Sequence, residues 1–228
     1  MRFKIFLGFI VFGVFVGQLE LFSAEERDSD GILNQRVESA KQTGILDLAK
    51  FSVEDLQVVV DLLGRSCKKI KELHLNNNKI KVISKNDLIK FRNLRVLDLS
   101  YNLIETLDKR CFFNLKRLEV LDLSHNKIKD FDASVFDRQG KLVSLDLSDN
   151  LLTHLKKEWF RNLTRLEKLN LADNKIEKVQ ARVFVRLRNL KEIYLKGNDV
   201  ATWQRGQFGK LKRIVRDIRL EESLFDMW

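Results

Sequence analysis

The stretch Leu118-Glu-Val-Leu-Asp-Leu-Ser-His-Asn-Lys-Ile128 decides the fold, because its pattern occurs six times at a constant spacing of 24 residues. Its leucines alternate with other residues, as a short strand needs when one face is buried. The copies begin at Ile70, Leu94, Leu118, Leu142, Leu166 and Leu190, and their asparagines are Asn78, Asn102, Asn126, Asn150, Asn174 and Asn198. One copy cannot bury its own leucines, so this self-similarity predicts a solenoid in which stacked copies share one core.

Each copy predicts one strand, which pairs in parallel with the strand of the next copy about 4.8 Å away. The asparagine follows the strand, where the chain turns inward. Its amide carries both a donor and an acceptor. A stack of asparagines can therefore satisfy backbone groups that would otherwise be buried without partners, which an ionised aspartate could not do.

A second ladder occupies the other half of each copy. It consists of Leu88, Phe112, Phe136, Phe160, Phe184 and Phe208, followed three residues later by Leu115, Leu163, Leu187 and Leu211 in four copies. This spacing predicts a short 3₁₀ turn or a single α-turn on the convex side, with both residues in the core.

The chain resembles the leucine-rich repeat family, in its typical 24-residue class, over Ile70 to Arg213. The resemblance implies an α/β repeat solenoid: a right-handed superhelix with a curved parallel sheet on the concave side and short 3₁₀ or α turns on the convex side. This class often carries a proline after the asparagine turn, whereas this chain has none. We therefore expect a more helical convex path. Secreted eukaryotic relatives usually carry cysteine-rich caps, so their absence favours a bacterial exported protein.

Residues 1–24 predict a secretory signal. Arg2 and Lys4 precede an apolar run, Ile5 to Gly17, of 13 residues. Such a run is too short to span about 30 Å of hydrocarbon, which favours cleavage. An uncleaved anchor is the alternative, since Phe22 fills a cleavage position that normally holds a small residue. Export would place the protein outside the cell, at the cell surface or in the periplasm.

The rest of the chain divides into four segments: a polar, loose leader over 25–42, a cap coil with a helix over 43–69, six repeats over 70–213 and a carboxyl-terminal cap over 214–228. The cap helix is expected to start at Ser52-Val-Glu-Asp55, with the serine as its cap. The apolar spacing predicts that it buries Leu56, Val59, Val60 and Leu63. The final strand, near Ile218, is displaced by one residue from the 24-residue register.

The two cysteines are expected to remain unlinked. Cys67 takes a core position, and Cys111 lies two copies further along. At about 4.8 Å per copy the two are roughly 10 Å apart, beyond the roughly 7 Å limit between Cα atoms for a disulfide.

Positive charge gathers in one part of the repeat. The chain carries a formal charge of +10. The positions 12, 14 and 15 residues after each asparagine contain no acidic residue and hold Lys90, Arg92, Lys116, Arg117, Arg138, Lys141, Arg165, Arg186, Arg188, Lys210, Lys212 and Arg213. Stacking turns them into a basic ridge that can attract a polyanion such as a glycosaminoglycan or lipopolysaccharide. The alternative is a solvated surface of a lysine-rich chain.

The strand face is mildly acidic, with Asp98, Asp122 and Asp146 in one column. A cation site there is an alternative to the simple frequency of aspartate at this position. The candidate protein-binding residues on this face are Val96, Tyr101, Val120, His125, Val143 and Tyr194. We expect the three valines to point outward in adjacent copies, with Tyr101 and His125 sharing a column beside them. Exposed apolar and aromatic residues within a polar rim are typical of an interface centre, although valine is also tolerated on exposed strands.

The sequence argues against an enzyme. Its three histidines, His74, His125 and His154, lie in no recognisable nucleophile or metal motif, and its glycines form no phosphate loop. No cofactor and no small-molecule substrate are expected. The leading hypothesis is a secreted or surface module, such as a host-facing adhesin, that binds a protein through its concave sheet. The alternative is polyanion binding by the ridge, with nucleic acid excluded on the ground of export.

Overall fold

Twelve short strands are present in the computed structural model, which describes residues 24–179, 182–199 and 217–219. In chain order they are β1 (Ile45–Asp47), β2 (Glu72–His74), β3 (Val82–Ile83), β4 (Val96–Asp98), β5 (Thr106–Leu107), β6 (Val120–Asp122), β7 (Ser144–Asp146), β8 (His154–Leu155), β9 (Lys168–Asn170), β10 (Lys178–Val179), β11 (Glu192–Tyr194) and β12 (Asp217–Arg219). The main sheet has the order β1-β2-β4-β6-β7-β9-β11-β12, and β3 with β5 and β8 with β10 form two small sheets. This is the α/β repeat solenoid that the 24-residue spacing predicts.

The register of the main sheet follows the repeat. Leu97 pairs with Leu121, and Leu121 with Leu145, all in parallel. The last pair joins Ile193 to Ile218, one residue beyond the 24-residue step. The predicted displacement of the final strand is therefore confirmed.

The asparagine ladder ties neighbouring copies together. The Nδ2 of Asn126 donates to the carbonyl oxygens of Leu99, Leu123 and Ser124, each at 3.0 Å, and its Oδ1 accepts from the backbone N–H of Ile104 at 2.9 Å. Leu99 and Ile104 belong to the preceding copy. The same pattern holds at Asn78, Asn102, Asn150, Asn174 and Asn198. One amide thus satisfies a donor and three acceptors in the core, as its chemistry predicts.

The phenylalanine ladder lies in the core. Leu88, Phe112, Phe136, Phe160 and Phe184 are buried, while Phe208 lies outside the described residues. The rings of Phe160 and Phe184 stack with centroids 6.3 Å apart. In the leucine position that follows, one copy carries Gln139, which is fully buried and donates to the carbonyl of Phe112 at 2.6 Å.

The convex side is less helical than the lack of proline led us to expect. Where the structure describes it, the repeats carry hydrogen-bonded turns, such as Leu115 N–H to the carbonyl of Phe112, and one 3₁₀ helix, Ala133–Phe136. In two repeats the backbone gives a reason, because Arg110 and Arg182 adopt left-handed φ angles of 62° and 63°. A left-handed residue interrupts a right-handed helix.

The amino-terminal segment corrects one expectation, since the leader over 25–42 is helical and not loose. Helix α1 (Ala24–Thr43) packs on β1 and buries Val37 and Ala40. With Leu33, these residues have the 4–3 spacing of an apolar helix face. Arg36 fastens the helix by donating to the carbonyl of Asp47 at 2.8 Å.

Helix α2 (Leu56–Leu63) buries Leu56, Val59, Val60 and Leu63, as predicted. Its cap differs from the expectation. Asp55 accepts a hydrogen bond from the N–H of Gln57 at 2.8 Å, whereas Ser52 lies in a left-handed turn before the helix. A 3₁₀ helix, Gly64–Lys69, then leads into the first full repeat.

The two predicted ends of the chain lie almost wholly outside the described residues. The signal over 1–24 lies outside the described residues except for Ala24, as does the cap over 214–228 except for β12. Of the helices within the described ranges, none has the length and apolar character needed to cross a membrane.

Cys67 and Cys111 are both buried free thiols, and burial raises the pKa of each.

Candidate functional site

Three columns of side chains run across the concave face. The valine column comprises Ile45, Glu72, Val96, Val120, Ser144, Lys168 and Glu192. The acidic column, two residues further along each strand, comprises Asp47, His74, Asp98, Asp122, Asp146, Asn170 and Tyr194. The left-handed column, just before each asparagine of the ladder, comprises Asn77, Tyr101, His125, Asp149, Asp173 and Gly197.

The left-handed column has a distinctive backbone. Its residues have φ angles between 50° and 73° because the chain turns inward there. The N–H groups of the first five then reach the next copy, as Tyr101 does by donating to the carbonyl of Ser124 at 3.0 Å. Asparagine, aspartate and glycine tolerate this conformation, whereas a bulky aromatic residue is uncommon in it. Histidine is also enriched in this conformation, so Tyr101 is the exception within the column.

Tyr101 and His125 form an exposed aromatic stack. Their ring centroids are 3.9 Å apart and their planes differ by 14°. Tyr101 is 52% exposed, so about half of its surface is available to another molecule. The Nε2 of His125 lies 3.5 Å from a carboxylate oxygen of Asp149.

The three candidate valines lie in two columns. Val96 and Val120 pair directly across β4 and β6, but the partner of Val120 on β7 is Ser144. Val143 precedes that strand and lies between the backbones of Glu119 and Glu167, with hydrogen bonds of 2.8 Å on each side. Val143 therefore lies one residue before its strand, level with Glu119 and Glu167, and in a different column from Val96 and Val120.

The acidic column separates the valines from the aromatic stack. Asp98, Asp122 and Asp146 occupy consecutive strands in register, as predicted. Burial raises the pKa of the Asp122 carboxyl above its ordinary range, with Asp146 and Asp98 adding to the rise, while hydrogen bonds from Ser124 oppose it. The column and the stack are therefore neighbours, but Tyr101 and His125 do not lie directly beside the valines.

Tyr194 lies apart from the other candidate residues. It belongs to β11 in the acidic column, whereas Tyr101 follows β4. Its hydroxyl donates to a carboxylate oxygen of Glu192 at 2.8 Å, and the ammonium of Lys168 lies 5.2 Å from the centre of its ring. Tyr194 therefore marks a second position on the concave face.

The histidines form no catalytic arrangement that we can identify. His154 has Thr153 Oγ1 at 3.1 Å from its Nδ1 and Asp130 Oδ1 at 3.7 Å from its Nε2. The ammonium of Lys156 already binds both oxygens of Asp130, at 2.7 and 2.9 Å, and compensates its charge. In the part of the chain that the structure describes, no three His, Cys, Asp or Glu residues converge as a metal site. The cation hypothesis for the aspartates therefore gains no support.

The basic ridge is exposed along its described length. Its members there are Lys90, Arg92, Lys116, Arg117, Arg138, Lys141, Arg165, Arg186 and Arg188, whereas Lys210, Lys212 and Arg213 lie outside the described residues. None of these nine side chains forms an ion pair with a described carboxylate. The Arg138 guanidinium lies 4.4 Å from the centre of the Phe113 ring. The ridge therefore presents uncompensated positive charge to solvent.

Two further cations extend the ridge into the cap coil. Lys68 lies 24 residues before Arg92, and Lys69 lies 24 residues before Asn93. The Nδ2 of Asn93 donates to the carbonyl of Lys68 at 2.7 Å, which sets the two copies in register. Because no asparagine precedes these lysines in the cap coil, counting from the asparagines missed them, although the 24-residue spacing itself could have found them.

Comparison with known proteins agrees with this architecture. A family model described as "Leucine rich repeat" matches residues 54–104, 92–152 and 140–200, which together exceed half of the chain. No curated protein matches the chain.

Two solved structures share the fold. The crystal structure of a TLR13–ssRNA13 complex is 24% identical, with a TM-score of 0.64, over 81% of this chain and 26% of that one. The structure of the Toll–Spatzle complex of Drosophila is 25% identical, with a TM-score of 0.55, over 70% of this chain and 18% of that one. This chain spans about a quarter or less of these neighbours. The predicted exclusion of nucleic acid gains no support, because the first neighbour was solved with ssRNA.

Proposed function

The chain belongs to the leucine-rich repeat family, and we propose that it is a non-enzymatic binding module that recognises a protein partner through the concave face around Tyr101 and His125. One observation carries this proposal: an exposed tyrosine, stacked on His125, occupies a left-handed backbone position that favours asparagine, aspartate, histidine or glycine.

Tyr101 is costly for the folded chain alone. A left-handed backbone costs an ordinary residue roughly 1–2 kcal/mol, and asparagine and aspartate visit it more readily. Neighbouring copies use Asn77, Asp149 and Asp173 at this position. Tyr101 gains little burial in return, being 52% exposed. Local strain of this kind clusters at functional sites, and exposed tyrosine is enriched at protein interfaces.

The neighbouring columns define the chemistry of the partner. Asp98 and Asp122 lie between the stack and the two valines, Val96 and Val120. A partner arginine or lysine can pair with these carboxylates, and an arginine can also stack on the Tyr101 ring. Apolar side chains beside that cation would cover the valines. Because the pKa of Asp122 is raised, acidification removes its charge earlier than that of an exposed aspartate and should weaken such a complex.

The variant Tyr101→Asn tests the proposal without disturbing the backbone. Asparagine already fills this position at Asn77, so the free energy of unfolding should not fall. Peptides selected from a displayed random library on the full chain should combine a basic residue with apolar residues. Their binding to Tyr101→Asn should weaken by about 2 kcal/mol or more, roughly 30-fold in Kd, as expected for an interface anchor.

The matched control is Val185→Ser, which removes a valine that is 48% exposed on the convex side. It should leave peptide binding unchanged. Selected peptides that bind Tyr101→Asn as tightly as the natural chain would contradict the proposed site, as would peptides that lose affinity only for Val185→Ser.

A second function, polyanion binding, is supported by the uncompensated cations of the basic ridge. Binding of this kind should weaken steeply with salt, because exposed charges are screened over about 8 Å at 0.15 M. Reversing Arg186 and Arg188 to glutamate should sharply reduce retention on immobilised heparin, and Tyr101→Asn should retain it. Unchanged retention of the reversed variant at about 0.15 M salt would count against the ridge.

The protein is proposed to act outside the cell, as a secreted or surface protein. The more specific form of this proposal is a host-facing adhesin. The motif over residues 1–24 supports export. Fractionation of the native cells with surface proteolysis tests this setting, and protein found only in the cytosol would contradict it.

A further inference from the structure

A basic cleft lies at the amino-terminal end of the ridge, where helix α1 ends near the edge of the sheet. Its volume is about 530 Å³, and six of its ten lining residues are basic: Lys41, Lys68, Lys69, Lys71, Arg95 and Arg117. The other four are glycine or uncharged polar residues, so no acidic, apolar or aromatic side chain lines it.

Four separate parts of the chain converge on the cleft. Lys41 comes from the last turn of α1, and Lys68 and Lys69 come from the end of the 3₁₀ helix of the cap coil. Lys71 and Arg95 occupy equivalent positions just before strands β2 and β4, and Arg117 is a ridge residue of the next copy. The cleft therefore exists only where the repeats meet the cap.

Gly44 sets the geometry of this junction. Its φ of +81° turns the chain from α1 into β1, and a Cβ there would lie 3.0 Å from the carbonyl oxygen of Lys69. The carbonyl of Gly44 accepts hydrogen bonds from the N–H groups of Lys71 and Glu72, at 2.7 and 3.1 Å. The end of the helix is thus fixed close to two of the lysines, which gives the cleft a defined shape.

The positive charge of the cleft is largely uncompensated. Lys41 pairs with Glu38 at 2.5 Å, and Arg95 lies 3.9 Å from Glu119. The other four cations, Lys68, Lys69, Lys71 and Arg117, form no ion pair with a carboxylate in the described ranges. The carbonyl end of α1 contributes only a partial negative charge. Like charges held this close repel one another, and a bound anion would relieve that repulsion.

We propose that this cleft binds a sulfated or carboxylated sugar unit of an acidic polysaccharide and anchors the polymer that the ridge contacts. The inference rests on the polyanion function proposed for the ridge. The volume suits a small ligand unit. Arg95 and Arg117 can each bind a sulfate or carboxylate by donating two parallel hydrogen bonds, and the lysines add positive charge.

The lining favours a polysaccharide over nucleic acid. Proteins that bind single-stranded nucleic acid without sequence preference combine positive charge with aromatic side chains on which bases stack. The cleft has the charge and no aromatic residue. The amide of Gln42 can instead meet sugar hydroxyls, as can the side-chain oxygen of Asn93, whose Nδ2 already donates to the carbonyl of Lys68.

The test compares two double variants of the full chain that each lose two positive charges. Lys69→Gln with Lys71→Gln neutralises the cleft, and Arg186→Gln with Arg188→Gln neutralises a distant part of the ridge. The probe is a heparin-derived tetrasaccharide, measured by titration calorimetry at about 0.15 M salt. The cleft variant should bind it at least tenfold more weakly. The distant variant should lose clearly less affinity than the cleft variant, because a tetrasaccharide seated in the cleft does not reach Arg186 and Arg188. Arg117→Gln alone should also weaken binding, which guards against a folding defect in the double variant.

The other outcomes distinguish the proposed cleft site from polyanion binding by the whole ridge. Equal losses in both double variants would overturn the cleft and leave the ridge as a diffuse polyanion surface. Retention of full-length heparin that neither variant affects would overturn both. Inorganic sulfate that competes as well as the tetrasaccharide at equal concentration would show a simple anion site and overturn the saccharide assignment. A single-stranded oligonucleotide that binds in the cleft when the tetrasaccharide does not would overturn it in favour of nucleic acid.

Discussion

Replacing Asn126 by aspartate is expected to lower the free energy of unfolding by about 3–5 kcal/mol at pH 7, the range seen when a buried charge loses its compensation. The Asn126 amide donates to three carbonyl oxygens at 3.0 Å and is only 7% exposed. An ionised carboxylate of the same size would place negative charge against those three oxygens. It could still accept the N–H of Ile104, so the loss arises from the donor side alone.

The stability loss caused by Asn126→Asp should depend on pH. Burial against carbonyl oxygens should raise the folded-state pKa of the new carboxyl above its unfolded value. The protonated form is then favoured by folding, so the deficit of Asn126→Asp grows as pH rises through that raised pKa and shrinks as pH falls towards about 4. Some deficit should persist in acid, because a protonated carboxyl supplies one donor where the amide supplied several bonds.

Urea denaturation between pH 4 and pH 7 measures both effects. The control is Asn86→Asp, the same change at an exposed position on the convex side. It should alter stability by less than about 0.5 kcal/mol, as surface substitutions usually do. A loss below 1 kcal/mol for Asn126→Asp at pH 7, or a deficit that does not depend on pH, would contradict the role assigned to the ladder.

Replacing Phe160 by alanine is expected to cost about 3–5 kcal/mol, as for other buried aromatic residues cut back to Cβ. Phe160 has no exposed surface, stacks with Phe184 at 6.3 Å and meets the edge of Trp159 at 6.3 Å. Each copy in a solenoid is stabilised mainly by its neighbours. A cavity in the middle of the ladder should therefore weaken the contacts of that copy on both sides.

Chemical denaturation of Phe160→Ala and two comparison variants tests this prediction. Phe160→Leu keeps much of the volume and should cost less than about 1.5 kcal/mol. Phe113→Ala removes a half-buried ring that lies against Arg138 and should cost clearly less than Phe160→Ala. If Phe160→Ala cost under 1 kcal/mol, the ring would not belong to the core.

The sequence was a good guide wherever one rule repeats. The same burial requirement acts on each copy, so within the described residues the leucines, the asparagine ladder and the phenylalanine ladder appear where the 24-residue spacing placed them. The final strand was also predicted correctly, because the apolar residue Ile218 marks its own register. In the acidic column, a fixed position in every repeat was enough to place Asp98, Asp122 and Asp146 side by side.

The exposed surface was harder to predict. Val143 and Val120 look equivalent as outward residues of adjacent copies, yet strand pairing puts Ser144 opposite Val120. Tyr101 and His125 were correctly assigned to one column. The left-handed backbone at Tyr101 could not be predicted from the tyrosine itself, because tyrosine has no preference for that conformation. The preference of the column shows only in Asn77 and the aspartates of other copies.

The spacing of asparagine and leucine alone determined the solenoid, its core and its sheet register, because burying apolar surface and pairing backbone groups impose the same demand on every copy. Only the tertiary structure decided which exposed side chains meet. Helix α1 folds onto the first coil, Gly44 turns it towards the sheet, and Lys41, Lys71 and Arg117 then line one cleft. These contacts join parts of the chain that follow no common period. Their positions depend on how the cap packs against the first repeats, and no repeating pattern in the sequence records that packing.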